Sequence, residues 1–164
     1  MRFITLAAFA LTSLLSITAL AEPKVLEWDN LIPEGIPYSE IIGEGEVDEA
    51  NDRWKPEYDP NGYLLNQDLN GKQVKVPGFV VPLEVDSNGI HSFLLVPYAG
   101  ACIHTPPPPP NQLILVHTPA PWGDHEWWEP VWVTGEMRTQ VQDTDIAESG
   151  YVMGADAIEK YEWQ

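Results

Sequence analysis

The second half of the chain alternates or clusters apolar residues in short runs that are typical of β-strands. Such runs are rich in Val, Ile, Leu, Phe and Trp and are too short for helices of ordinary length. They occupy residues 72–83, 91–96, 113–116 and 131–134, with a last, weaker pair at 151–153 and 158–163. The pattern therefore predicts five or six strands after about residue 67.

Turn residues separate these runs and suggest how the strands close. Asn70-Gly71, Ser87-Asn88-Gly89 and Ser149-Gly150 are predicted turns. Strands this short and frequent predict a mostly β fold, a small antiparallel barrel that is OB-like, since closure removes exposed sheet edges. A β-sandwich is the alternative. Pro77 cannot donate to a ladder and Gly78 has no side chain to pack, so the first long strand is predicted to bend or bulge there.

The first half lacks this periodicity. Isolated apolar residues lie among Pro, Gly and many acids, which predicts an acidic, extended N-terminal arm over residues 22–66, laid on a barrel domain of residues 67–164. Within the arm, residues 47–54 are long enough for one or two helical turns. The cluster of acids from Glu44 to Asp52 lacks the ligand pattern of an EF-hand and is interpreted as a solvated surface.

Composition and charge narrow the possible partners. The 164 residues include 25 acidic and 8 basic side chains, for a formal charge of −17. Nucleic acid is excluded as a partner, because binding phosphates needs clustered Lys and Arg. The 16 prolines and 12 glycines argue against a helical bundle, while 44% apolar residues are enough for a folded core.

Residues 1–21 predict a secretory signal peptide rather than part of the fold. Met1 and Arg2 precede an apolar run, and Ala19-Leu20-Ala21 has the form of a cleavage site. The run is shorter than the roughly 20 residues that a membrane span needs. We therefore expect a periplasmic protein with no integral membrane span after processing. Its one cysteine, Cys102, allows no intramolecular disulfide.

Cys102 and His104 form the candidate site. In an extended chain, residues two apart point to the same face, and sulfur with imidazole nitrogen suits zinc or, as a second choice, copper. His117 is the third predicted ligand. Possible additional donors are His91, Asp124, His125 and Glu126. The alternative is that Cys102 is a small buried apolar residue and that His104 only forms hydrogen bonds.

A run of five prolines follows the Cys-His pair directly, and we call it the polyproline strap: Pro106, Pro107, Pro108, Pro109 and Pro110. It predicts a stiff polyproline II segment of roughly 15 Å. Three interpretations stay open. The strap holds the Cys102 loop in one geometry, crosses the barrel mouth where no backbone donor is needed, or offers a docking ridge to a partner protein.

Two other functional interpretations remain for the same region. A Cys–His hydrolase is the enzyme alternative, but the chain carries no complete catalytic signature, so a non-enzymatic function is favoured. Trp122, Trp127 and Trp128 crowd a loop with Asp124, His125 and Glu126. This tryptophan-rich loop either completes the core or, with the strap, forms a metal-free docking face for a protein partner.

Several segments resemble a known bacterial family, the domain of unknown function 3299. The segments are residues 67–84 and 93–98, the string Gly100-Ala101-Cys102-Ile103-His104, the strap with Asn111-Gln112, residues 131–135 and, in the arm, 28–33. The resemblance implies an exported protein, an accessory of an ABC-type transport or envelope system, and periplasmic metal handling with Cys102 and His104 as ligands. The lipoprotein members have an N-terminal cysteine that this chain lacks, which implies a soluble periplasmic form.

Overall fold

The computed structural model describes residues 22–50, 52–102, 106–123 and 129–162. Within these ranges the chain forms eight strands and four short 3-10 turns. The strands are β1 (Lys24–Val25), β2 (Glu46–Asp48), β3 (Arg53–Lys55), β4 (Lys72–Asp86), β5 (Gly89–Val96), β6 (Ile114–Trp122), β7 (Val131–Asp143) and β8 (Glu148–Lys160). The 3-10 turns are Trp28–Leu31, Pro60–Tyr63, Gln67–Leu69 and Pro110–Gln112.

The long strands close into a barrel. Their order is β4, β5, β6, β8 and β7, and β7 pairs back onto β4. The ladders are antiparallel except that of β6 with β8, which is parallel from Ile114–Tyr151 to His117–Gly154. This mixed five-stranded barrel confirms the predicted mostly β, OB-like fold.

β4 forms the corner that closes the barrel. Its first half pairs with β7 as far as Gly78–Val131, and its second half pairs with β5 from Phe79–Val96 onward. A Cβ atom on Gly78 would lie 2.8 Å from both Leu95 Cγ and the Val96 carbonyl oxygen. The glycine therefore lets β5 approach closely where β4 exchanges one neighbour for the other.

The predicted turn at Ser149-Gly150 is wrong, because both residues lie inside β8. The chain turns instead between β7 and β8, where the Thr144 hydroxyl bonds the Ala147 carbonyl oxygen at 2.7 Å. Gly150 has a packing role, since a Cβ atom there would lie 2.4 Å from Leu65 Cδ2 and 2.7 Å from the Pro110 carbonyl oxygen. β7 also extends to Asp143, well beyond the predicted end at residue 134. The two strands predicted at 151–153 and 158–163 form a single strand, β8.

Apolar residues on both faces of the barrel are buried. The inner cluster fills the barrel with residues such as Phe93, Leu95 and Tyr151. A second set, which we call the outer cluster, comprises Val81, Leu94, Val96, Ala101, Leu113, Leu115 and Ala147. Burial on both faces explains why β5 reads as a continuous apolar run instead of alternating.

The arm contributes to the same inner cluster. Leu26 and Leu31 are completely buried in it, β1 pairs parallel with β4, and Trp28 Nε1 donates to the Pro77 carbonyl oxygen at 2.8 Å. The helical turns predicted for residues 47–54 are wrong. β2 and β3 pair there as an antiparallel hairpin. Arg53 of β3 donates hydrogen bonds to Asp143 and Thr144 of the barrel, which lie far away in sequence and favour the strand over a helix.

The predicted signal peptide, residues 1–21, lies outside the described residues. Among the residues that the structure describes, helices long and apolar enough to cross a bilayer are absent.

Candidate functional site

The polyproline strap lies between the arm and the barrel. Pro108, Pro109 and Pro110 are buried, whereas Pro106 is exposed. Pro109 has φ −61° and ψ 156°, the values of polyproline II. The Tyr58 hydroxyl of the arm donates to the Pro107 carbonyl oxygen. Burial of three of its prolines leaves mainly the beginning of the strap open to a partner protein.

Two buried amides after the strap hold the arm in place. Asn111 Nδ2 donates to the carbonyl oxygens of Asn61 at 2.8 Å and Leu64 at 3.2 Å. Gln112 Nε2 donates to the Trp28 carbonyl oxygen at 3.0 Å. These bonds satisfy backbone groups that would otherwise be buried without a partner. The Asn-Gln pair therefore has a structural role, which the sequence alone did not show.

Cys102 occupies an unusual backbone position at the other end of this segment. Its φ is +64°, in the left-handed region that residues other than Gly, Asn and Asp seldom adopt. The residue is half-buried and packs against the outer cluster. Burial raises the pKa of its thiol to about 12. A neutral, desolvated thiol has to lose its proton before it can act as a nucleophile or bind a metal ion, since both roles need the thiolate.

The structure distributes the other predicted ligands as follows. His104, Asp124, His125 and Glu126 lie outside the described residues. His117 is exposed on β6 and pairs with Gly154 of β8. His91 lies near the β4–β5 turn with its Nε2 3.0 Å from Asp86 Oδ2. Among the described residues, His91, His117 and Cys102 do not come together in a group of three donors that could hold a metal ion.

Cavities flank the strap on two sides. An open cavity of about 370 Å³ lies beside Tyr38, Tyr98 and the strap prolines Pro106–Pro109. A smaller cavity of about 90 Å³ is lined by Arg53, Tyr63, Glu148 and other residues of the arm, the strap and the β7–β8 turn. The side chain of Tyr58 borders both. The sequence analysis missed these tyrosines and Arg53. The tyrosines could have been suspected, because aromatic residues in the arm precede a proline run against which they can pack.

Arg53 is the best-buried charged residue of this region. Only 7% of it is exposed. Its Nη2 lies 2.9 and 3.2 Å from the two carboxylate oxygens of Asp143, and its Nη1 donates to the Thr144 carbonyl oxygen. Lys55 Nζ lies 3.3 Å from Asp48 Oδ2 beside it. This network fastens the β2–β3 hairpin to the β7–β8 turn.

The tyrosines near the strap are protonated at neutral pH. Burial raises the pKa of Tyr58 well above its usual range. It also raises the pKa of Tyr38, with a contribution from Tyr98, and that of Tyr63, with contributions from Glu148 and Glu57. Each hydroxyl is thus a hydrogen-bond donor, and none supplies a phenolate.

A third, open groove crosses β6, β8 and β7 on the outside of the barrel. It has a volume of about 510 Å³ and presents His117, Glu136, Arg138 and Asp156. Gly154 lies between His117 and Glu136 in the ladders, with open space where its Cβ would be. Arg138 Nε already pairs with Glu136 at 3.1 Å.

These features define an OB-type barrel whose arm is fastened to it by a proline strap and two buried amides. The family model for a protein of unknown function, DUF3299, matches residues 28–160, so the chain belongs to the DUF3299 family. This confirms the resemblance seen in the sequence.

Solved structures of similar proteins include one that matches over most of its length. It is the crystal structure of a DUF3299 family protein from Pseudomonas aeruginosa PAO1, which is 32% identical, with a TM-score of 0.70. The match covers 87% of this chain and 98% of that one. No curated protein matches the sequence.

Proposed function

We propose that this is an exported, periplasmic protein that binds a transition metal, zinc in the first place and copper in the second, as an accessory of a transport or envelope system. Export is supported by the composition of residues 1–21. Metal binding is supported by the ligand chemistry of the Cys102 and His104 pair.

The observation that carries the proposal is the left-handed backbone of Cys102, with φ +64°. Such a conformation costs a residue other than glycine about 1 to 3 kcal/mol and concentrates at functional sites. A glycine at this position would avoid the cost, as it does at neighbouring Gly100, with φ +83°. A role for the sulfur atom explains why a cysteine stands there instead.

The strap supports the proposal by fixing one end of the Cys102 loop. Tyr58 bonds the strap, and Asn111 and Gln112 directly after it bond the arm, so the segment from Pro107 to Gln112 is ordered before any metal binds. Since the described residues contain no group of three donors, a site with three ligands from this chain needs a donor from residues 103–105 or 124–128. His104 is the first such donor, and Asp124, His125 and Glu126 are the next.

Zinc titration of untagged protein tests the proposal. We expect one zinc per chain by elemental analysis, a rise in melting temperature, and protection of Cys102 from a thiol reagent. Cys102→Ala and His104→Ala should each abolish stoichiometric binding, and His117→Ala should weaken it if His117 is the third ligand. Protein that binds no zinc or copper under these conditions, with its thiol equally reactive at every metal concentration, would refute the metal site.

A metal-free interaction module is the second candidate, because an apolar surface adjoins the exposed end of the strap. Tyr38 is 50% exposed, Tyr98 41% and Ile41 43%, and all three line the open cavity beside the strap. A photo-crosslinking residue at position 98 should then capture one defined envelope protein in cells, and the same residue at Val141, which is 52% exposed on β7, should not. Equal labelling from both positions would contradict docking at the strap.

A further inference from the structure

The open cavity beside the strap has a wall of aromatic rings and prolines. Tyr38, Tyr58 and Tyr98 line its volume of about 370 Å³ together with Ile41 and the strap residues Pro106–Pro109. Burial raises the pKa of Tyr58, and the hydroxyl groups of Tyr38 and Tyr98 raise it further, so the three side chains lie around one space. Tyrosine rings bind apolar groups and cations alike. The wall therefore suits a ligand that combines the two.

The charge at this cavity is negative. Glu40 is the one charged residue in its described lining, and among the described residues Glu40 forms no ion pair. Residues 34–52 carry seven acids and neither Lys nor Arg: Glu34, Glu40, Glu44, Glu46, Asp48, Glu49 and Asp52. The next two basic residues, Arg53 and Lys55, are already paired with carboxylates. The occupant therefore meets negative charge, which attracts a cation and repels an anion.

The strap adds hydrogen-bond acceptors to this wall and no donors. Proline has no backbone N–H, so Pro106–Pro109 present only carbonyl oxygens. Those of Pro107 and Pro109 accept from donors of the protein itself, and the other two have no partner among the described residues. A guanidinium carries five N–H groups on a flat cation that stacks on aromatic rings. It thus matches a wall of carbonyl oxygens, a carboxylate and tyrosines.

The part of the arm that forms this wall is held in place. The Glu40 amide donates to Asp59 Oδ2 at 3.0 Å, and the Asp59 amide donates to the Glu40 carbonyl oxygen at 3.0 Å. Ile41 and Tyr58 form an antiparallel bridge directly beside them. A wall that is ordered before binding saves the ligand the entropy of ordering it.

The size and charge of the site favour a polypeptide as its occupant. The cavity is open and far larger than the roughly 10 to 15 Å³ that one water molecule needs, so a small cation alone would leave much of the apolar wall uncovered. A second copy of this chain, with its formal charge of −17, would bring acids to an acidic surface. Arginine is enriched in protein interfaces, where its stem packs on apolar groups.

We propose that the open cavity beside the strap receives an arginine side chain from a basic, apolar segment of a partner protein. The guanidinium stacks on the rings of Tyr38 and Tyr98 and pairs with Glu40, and the apolar neighbours of the arginine pack on Ile41 and the exposed Pro106. This assignment rests on the second candidate function, docking at the strap, and adds the chemistry of the partner.

The test is a calorimetric titration of the full mature chain with a pool of pentapeptides. Each peptide has a central arginine flanked by leucine, isoleucine or proline. A matched pool carries citrulline, which has nearly the shape of arginine but no charge. We expect saturable binding of the arginine pool, at least tenfold weaker binding of the citrulline pool, and loss of this preference in molar salt.

Variants locate the site. Glu40→Gln should weaken binding of the arginine pool at least threefold. Glu162→Gln makes the same chemical change at an exposed residue beyond the far end of β8 and should leave the affinity unchanged. Tyr98→Ala should weaken binding at least threefold, whereas Tyr98→Phe keeps the ring and should bind like the unaltered protein.

Three results would overturn the assignment. Equal affinity for both pools would mean an apolar groove with no preference for a cation. Equal effects of Glu40→Gln and Glu162→Gln would mean general attraction to an acidic chain. The third result is that neither pool binds at millimolar concentration.

These failures are distinguishable from failure of the proposed functions. Equal affinity for both pools would remove the arginine and leave docking at the strap standing, whereas docking itself fails if the crosslinker at position 98 captures no partner. The titrations use protein treated with a chelator, so their outcome does not depend on zinc binding.

Discussion

At the scale of single residues, the hydroxyl group of Tyr151 joins the arm to the barrel. It donates to the Leu31 carbonyl oxygen and accepts from the Asn66 amide at 2.7 Å. Tyr151 is completely buried, so water cannot replace either bond. The sequence predicted a strand at residues 151–153, but it did not show that one side chain of that strand binds two segments of the arm.

Tyr151→Phe should lower the free energy of unfolding by about 3 kcal/mol, because it leaves two backbone groups buried without partners. Urea unfolding followed by tryptophan fluorescence measures the change. Tyr98→Phe is the matched control. Tyr98 is half-exposed, so water can replace any hydrogen bond of its hydroxyl, and the substitution should cost less than about 0.5 kcal/mol. Equal effects of the two substitutions would contradict the joining role.

The Cys102 thiol gives a prediction about pH. Because burial raises its pKa from 9.0 to about 12, folding favours the protonated thiol, and the stability this contributes is present below pH 9 and is lost as the pH rises towards 12. In metal-free protein at pH 8, we expect iodoacetamide to react on the order of 100-fold more slowly than in urea-unfolded protein. A native rate that levels off near pH 9 would indicate an open thiol instead.

At the scale of elements, β4 shows what patterning can predict. Pro77 and Gly78 lie where β4 exchanges β7 for β5, as a proline and a glycine inside a strand suggested, but the register irregularities of β4 lie further on, between Pro82 and Val85. The ends of β7 and β8 were missed, since residues 135–143 are mostly polar and exposed, and their pairing depends on the partner strand. The sequence analysis missed the β2–β3 hairpin because the hairpin depends on ion pairs of Arg53, chiefly with Asp143, which lies 90 positions away in sequence.

Gly78→Ala should destabilise the corner by about 2 kcal/mol, since the added methyl group meets the backbone of β5 and Leu95 within 2.8 Å. Gly154→Ala is the control within a strand of the same barrel. Its Cβ meets nothing within 4 Å, so it should be neutral or slightly stabilising. Thermal unfolding of both variants checks the difference, and a neutral Gly78→Ala would contradict the close approach.

At the scale of the whole molecule, the arm is part of the core. Leu26 and Leu31 are fully buried in the inner cluster, and the arm is also bonded to the barrel through Tyr58, Arg53, Asn111 and Gln112. A chain that lacks the arm would expose the apolar surface that these residues cover.

We therefore expect a chain of residues 67–164 alone to unfold without a cooperative transition and to bind the dye ANS, whereas a chain of residues 22–164 unfolds sharply. Adding a peptide of residues 22–66 should restore part of the transition. Far-UV and near-UV circular dichroism measure both effects. A sharp transition for residues 67–164 alone would show that the barrel folds independently of the arm.

The sequence by itself determined the class of fold, the corner of β4 and the family, because these depend on local periodicity, on proline and glycine, and on a continuous motif. Tertiary structure alone decided which residues surround the strap. Tyr58 meets Pro107 across 49 positions and Arg53 meets Asp143 across 90. No local pattern encodes such pairs, since each forms only after barrel closure has brought the arm, the strap and the β7–β8 turn to one place.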